Sequence, residues 1–377
     1  MRASLKVSTI LGIPIYIHFS FLFIIALFAW FFAVVNATLI GFPIGFGGLN
    51  IGTAGQYISG TIISVVLFIC VLLHELGHSY VTQRYGIRIK EITLFIFGGI
   101  SQSEEIPREP RREFTIAITG PLVSLLLGGI FTGLFLITAP FTHGSTLGQL
   151  FTISFSTLGF YNITLALFNL IPAFPIDGGR VLRSALAARM DYNRATRIAS
   201  RTGRAFAIGM AVFGILILNL WLVFIAVFIY LGASQEENEL RITNALQGVK
   251  IGDVMRKDFA TVSPDMSIQD FLPFIREHQA TEYPVIQDER VVGFVTVNDL
   301  RKIRESQIAQ TKVQDIMDPP EPLVAPTDDA LHSLRSLSQA NTAEVLVGNQ
   351  DHLQGIVTKN DFIRFIQTQE QLQQHGA

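Results

Sequence analysis

Between residues 14 and 231 the chain carries five apolar stretches, at about 14–36, 57–81, 114–139, 149–172 and 205–231. Each is long enough to span a bilayer, which takes roughly 20 apolar residues. Hydrocarbon offers backbone groups no water to bond, so stretches of this kind have to fold as helices. Charge divides the chain in two. Residues 1–232 hold 15 Lys/Arg and 8 Asp/Glu and the rest holds 13 and 22, so a net +7 precedes a net −9 in a chain whose total is −2. That asymmetry assigns the first part to a membrane and the second to water. The mean hydropathy of +0.43 averages over the two. The first stretch, Pro14 through Val35, is too long for the apolar core of a cleaved signal peptide and reads as a span. The single cysteine, Cys70, excludes a disulfide framework and reads as helix packing.

Arginine sets the orientation. Arg84, Arg88, Lys90, Arg108, Arg111 and Arg112 separate the second and third stretches. Arg180, Arg183, Arg189, Arg194, Arg197, Arg201 and Arg204 separate the fourth and fifth, while 36–56 and 138–150 carry no charge. The positive-inside rule places the arginine-rich loops, and the N-terminus with Arg2 and Lys6, in the cytoplasm. The fifth stretch would be ~40 Å long as one helix, against a core of ~30 Å, and it has Asn219-Leu220-Trp221 at its middle. It is one tilted span or a tight hairpin. The hairpin is preferred because it returns the acidic tail to the cytoplasm, giving about six spans with both termini inside.

The second stretch contains His74-Glu75-Leu76-Gly77-His78. On a helix, residues four apart share a face, so the two imidazoles can ligate one zinc while the glutamate serves as base. Burying these groups in lipid without a purpose would cost several kcal/mol. A catalytic zinc takes three protein ligands and keeps one position open. The best third ligand is Asp177. It lies in Asn169-Leu-Ile-Pro-Ala-Phe-Pro-Ile-Asp177-Gly-Gly-Arg180, where prolines and glycines break a helix near membrane depth. Irregular backbone is tolerated there only where it lines a cavity. Glu104, Glu105, His18 and His143 are the rivals. The glutamates fit better in a solvated loop, His18 as a packing or interfacial residue, and His143 lies across the membrane.

Gly12-Ile-Pro14 with His18, the His74–His78 motif, Phe97-Gly98-Gly99-Ile100, Thr119-Gly120-Pro121 and the Asn169–Arg180 run together resemble the site-2 protease family. The resemblance covers residues 1–232 and implies an intramembrane zinc protease with one zinc per chain. It implies Asp177 as third ligand and places Asn169 close to the catalytic centre, as a substrate or oxyanion contact or as the cap of a helix break. It also implies that Gly86–Gln102, which alternates only loosely, ends in an edge strand that receives unwound substrate; a re-entrant packing element is the alternative.

Residues 250–303 and 312–365 repeat at an offset of 62: Asp253-Val-Met255 matches Asp315-Ile-Met317, and Gly293-Phe-Val-Thr296 with Asp299 matches Gly355-Ile-Val-Thr358 with Asp361. A β-α-β-β-α reading with this ending resembles tandem CBS domains. That resemblance implies adenine nucleotide in the cleft between repeats, touched by Thr296, Asp299, Thr358 and Asp361; a carboxylate suits ribose hydroxyls. The second repeat has Val345-Leu346 where the first has Tyr283-Pro284, so its site is expected to be the weaker. The other use of such a pair is as a homodimer contact without ligand.

The expected architecture is an α-helical polytopic membrane protein with about six spans followed by a soluble α/β tandem CBS module. Its divisions are 1–232 protease, 233–249 linker, 250–309 first repeat and 310–370 second repeat. The expected function is cleavage of transmembrane substrates near the cytoplasmic leaflet under nucleotide control, with no nucleic-acid partner. A CBS-regulated transporter or channel with a metal site is the alternative; Glu75, a base between two ligands, speaks against it.

Overall fold

The computed structural model describes residues 4–375 apart from 97, 104–108, 142–144, 279, 281, 289, 304–307, 309, 320–322, 341–343, 350 and 351. Glu104, Glu105, His143 and Phe97 therefore lie outside the described residues. The chain forms two compact units, Met1–Glu237 and Asn238–Ala377.

The first unit contains strands β1 (Ser4–Ile10) and β2 (Ile13–His18), helix α1 (Phe19–Val34), a small hairpin of β3 (Ala37–Leu39) and β4 (Phe42–Ile44), and helix α2 (Gly52–Arg84). Strands β5 (Ile89–Phe95) and β6 (Gly98–Ser103) follow, then helices α3 (Pro110–Thr138), α4 (Thr146–Asn169), α5 (Asp177–Ala187), α6 (Tyr192–Leu216) and α7 (Leu220–Leu246), the last running past the boundary of the unit. Among the described residues α2, α3, α4 and α7 are long and apolar enough to cross a bilayer; α1 is apolar but has 16 residues.

These helices are built to face lipid. On α2 the exposed side chains include Ile58, Ile62, Val65, Ile69 and Leu73, whereas Gly60, Ser64, Cys70 and His74 are buried. The outward face is largely apolar, while the inward face mixes these small and polar groups with Ile63, Leu67 and Leu76, the pattern of a helix that faces lipid on one side and its neighbours on the other. Helices α3 and α4 approach closely because Gly128 lies against Ile163 and Gly159 against Thr132, where added Cβ atoms would stand 2.7 Å from those side chains.

The first apolar stretch divides where a single span was expected. Ile13–His18 is a strand and only Phe19–Val34 is helical. Pro14 and the β-branched Ile13, Ile15 and Ile17 favour extended backbone, and Ile13 and Ile15 are buried with Ile92 and Leu94 of β5. His18 ends the strand and caps α1, its Nδ1 accepting from the Ser20 amide. The four strands form one sheet in the order β1-β2-β5-β6, with β2 and β5 parallel and β6 at an edge. Gly86–Gln102 is thus largely strand, in a hairpin whose second strand lies at the sheet edge.

The fifth stretch is a hairpin. Helix α6 ends at Leu216, Leu218 takes φ +54°, and α7 begins at Leu220 with Asn219 Oδ1 accepting from the Leu222 amide. Gly214 packs against Val223 and Gly203 against Ala233, so the limbs run antiparallel.

The second unit holds α8 (Ile251–Val254), α9 (Ile268–His278), β7 (Glu282–Gln287), β8 (Arg290–Thr296), α10 (Ala330–Ala340), β9 (Glu344–Asn349), β10 (His352–Thr358) and α11 (Lys359–His375). Each repeat has an antiparallel hairpin, β7–β8 or β9–β10. Val262 and Val324 add single parallel bridges where a leading strand was expected. The repeats exchange their leading segments: Ile251 and Val254 sit in the core with Val347, Val357 and Phe362, and Val313 sits with Phe271, Tyr283 and Val295.

Candidate metal centre

Helix α2 delivers His74 and His78, four residues apart, to one face. Asp177 arrives from the other direction, as the first residue of α5. The loop before it, Leu170–Ile176, folds back on the first turn of α5. Cβ atoms on Gly178 and Gly179 would stand 2.1 Å from the Ile171 carbonyl oxygen and 2.6 Å from the Phe174 amide nitrogen, so only glycine fits after the aspartate.

One ligand atom from each of His74, His78 and Asp177 lies within 4.8 Å of the others. Asp177 Oδ2 is 3.2 Å from His74 Nε2 and 3.1 Å from His78 Nε2. The far ring nitrogens are engaged. His78 Nδ1 donates to the Ile116 carbonyl at 2.7 Å, and His74 Nδ1 is hydrogen-bonded to Ser124 Oγ at 2.9 Å. A carbonyl can only accept, so the hydrogen of a neutral His78 is on Nδ1 and its Nε2 presents a lone pair. That lone pair faces a carboxylate oxygen, and a cation is what satisfies such converging acceptors. Two imidazoles and one carboxylate fit zinc, with room for a fourth position.

Space is kept for it by glycine. A Cβ on Gly120 of α3 would stand 2.1 Å from His78 Nε2 and 2.6 Å from His74 Nε2. Glu75 is half-buried, and Gly99 of β6 passes so close that a Cβ there would stand 2.4 Å from Glu75 Cγ. The edge strand therefore runs directly past the glutamate. Asn169 is the half-buried last residue of α4, eight residues before Asp177. His18 is outside the cluster. Ser124, the Ile116 carbonyl and the role of Gly120 were missed from sequence; Gly120 stood in a quoted motif without an assigned task, whereas glycines beside a strand, as at Gly99, are expected to permit close backbone approach.

In the second unit, Asp299 Oδ2 accepts from the Thr296 amide at 2.8 Å and Oγ1 at 2.7 Å, and Asp361 Oδ2 accepts from the Thr358 amide at 2.9 Å and Oγ1 at 2.6 Å. The two turns match, but Arg256 Nε lies 3.0 Å from the Asp361 carboxylate. The position 62 residues beyond Arg256 is Asp318. Burial pushes the nearby Glu344 carboxyl up to about 7, with Asp361 adding to the rise and Arg256 opposing it.

The pattern of peptidase family M50 matches residues 62–210, and that of the CBS domain matches 251–306 and 313–368. The chain is 35% identical over 364 residues to zinc metalloprotease MJ0392 of Methanocaldococcus jannaschii, covering 97% of this chain and 96% of the relative. The chain belongs to the site-2 proteases, peptidase family M50. It is a membrane zinc metalloprotease followed by two CBS domains. Stage IV sporulation protein FB of Bacillus subtilis is 30% identical over 169 residues, 45% of this chain and 55% of that protein. The solved site-2 protease from Methanocaldococcus jannaschii is 34% identical, covers 62% of this chain and 95% of its own, and superposes with a TM-score of 0.41.

Proposed function

We propose that this M50 protease hydrolyses peptide bonds within transmembrane segments, in the half of the bilayer nearer the cytoplasm, and that adenine nucleotide at the CBS pair modulates it. The observation that carries the reading is the convergence of His74, His78 and Asp177 among helices of membrane length, with Glu75 one residue from the first ligand. His74 to Arg84 is ten residues, roughly 15 Å of helix, and Asp177 lies three residues from Arg180, so both ligand-bearing segments are near the arginine-rich loops assigned to the cytoplasm. Both termini are cytoplasmic in this reading.

His74, His78 and Asp177 would hold zinc. The metal supplies Lewis-acid polarisation and a nucleophile available at neutral pH. Glu75 takes a proton from the attacking water and delivers it to the leaving amine. Among the described residues strand β6 pairs only with β5, so its outer edge can take a substrate strand by main-chain hydrogen bonds and lay it past Glu75. A helical substrate has to unwind to do so. Asn169 contacts the substrate or the developing oxyanion. In the second unit Thr296 with Asp299, and Thr358 with Asp361, would bind ribose and phosphate.

Reconstituted with a transmembrane substrate, the protein should cut in the inner-leaflet half. Glu75→Gln should abolish cleavage while keeping one zinc per chain, and Asp177→Ala should lose the metal as well. Normal cleavage by the glutamine variant would end the protease assignment of this site. For the nucleotide, calorimetry on the full chain should find binding that Asp299→Ala weakens more than Asp361→Ala. No heat with AMP, ADP or ATP reduces the pair to a structural or dimerising role.

A further inference from the structure

Arg183 lies on α5, six residues past Asp177, and is 3% exposed. Its Nε donates to Glu113 Oε1 of α3 at 2.7 Å, and its Nη2 donates to the same oxygen. Its Nη1 donates to Glu236 of α7. The guanidinium also lies over the Phe174 ring at 4.9 Å and the Tyr192 ring at 5.1 Å. Phe174 is 1% exposed and sits in the loop three residues before Asp177. One cation thus grips both sides of the turn that presents Asp177: it belongs to the helix that follows the turn and stacks on the loop that precedes it.

A charge buried this deeply is costly to desolvate, and apolar residues of similar volume would often serve stability as well or better. The chemistry proposed above does not use Arg183. What a planar, stacked guanidinium donating to two carboxylates supplies and an apolar side chain does not is fixed geometry. We propose that Arg183 is a positioning residue for Asp177, holding the third ligand at its distance from His74 and His78, and that Glu236 sets Arg183. Glu236 lies on α7, the helix by which the chain enters the second unit, so a displacement of that helix would reach the metal centre through this ion pair. The inference rests on the reading of His74, His78 and Asp177 as the metal site.

The test uses the full chain in proteoliposomes, loaded with zinc for affinity by chelator competition and with cobalt for its visible d–d bands. Arg183→Lys keeps the charge but not the fork or the stacking; because Arg183 acts on Asp177 through the turn rather than by touching it, zinc binding should weaken about 10-fold, the low end of what loss of a group bonded directly to a ligand causes. The variant should also shift the cobalt bands. Glu236→Gln, a milder change at a partly exposed residue, should move both readouts the same way and by less. If the variants lose thermal stability alone, with zinc affinity and cobalt spectrum of the folded protein unchanged, Arg183 is a structural ion pair and the proposal is overturned. A wild-type chain that takes up no cobalt overturns the metal-site reading and this inference together; wild-type uptake with unaltered variants overturns this inference alone.

Discussion

His74 is held by Ser124 and His78 by a carbonyl, and the difference can be measured. The Ile116 carbonyl cannot be removed by mutation, but Ser124→Ala takes away the partner of His74 Nδ1 and leaves its ring free to rotate or change tautomer. Zinc affinity should fall about 10- to 100-fold while the fold persists. Unchanged zinc affinity in Ser124→Ala would mean that helix packing alone orients the ring. The convergence of His74, His78 and Asp177 was legible because its signals are local: histidines on one helix face, and an aspartate in a helix break. Ser124 and Gly120 were not, because a serine or a glycine in an apolar helix acquires its task only when α3 packs against α2.

Among the elements, the hairpin of α6 and α7 shows what sequence could narrow but not settle. Its length and Asn219 pointed to a break, yet Leu218 in a left-handed conformation is no turn signal that leucine would announce. The strand β2 was hidden for a different reason. Ile13, Ile15 and Ile17 alternate with Pro14 and Tyr16, which are not charged, so the stretch ran without a seam into the apolar helix behind it. Gly214 lies where the limbs approach closely: a Cβ would stand 3.0 Å from Val223 Cγ2, 3.1 Å from Leu222 Cβ and 3.2 Å from the Asn219 carbonyl oxygen. Gly214→Leu should force the limbs apart at the turn and cost about 1–3 kcal/mol by overpacking. Thermal unfolding of the first unit reads the loss, and a variant as stable as the parent would show that the turn yields freely.

At the scale of the molecule, two units with separate cores should unfold as two transitions, and Glu344 gives the second a pH signature. The glutamate begins β9, opposite Thr358, and is buried beside Asp361 and Arg256. Its carboxyl titrates near 7 in the folded unit, against 4.5 ordinarily. Between those values the folded state keeps a proton that the unfolded chain has released. Stability therefore falls as pH rises from about 4.5 to about 7 and is flat above, the reverse of an ion-paired carboxylate. The loss is about 1–3 kcal/mol, allowing for water reaching the group. Glu344→Gln carries no proton to lose, so its second transition should lack this slope. It should lie above that of the parent at about pH 8, where the parent holds a buried anion, and close to it at about pH 5, where both side chains are neutral. The first transition should respond identically in both proteins, because Glu344 has no part in that core. Parallel pH profiles for parent and variant would place the proton elsewhere, and would remove Glu344 as the group that ties the stability of the CBS pair to neutral pH.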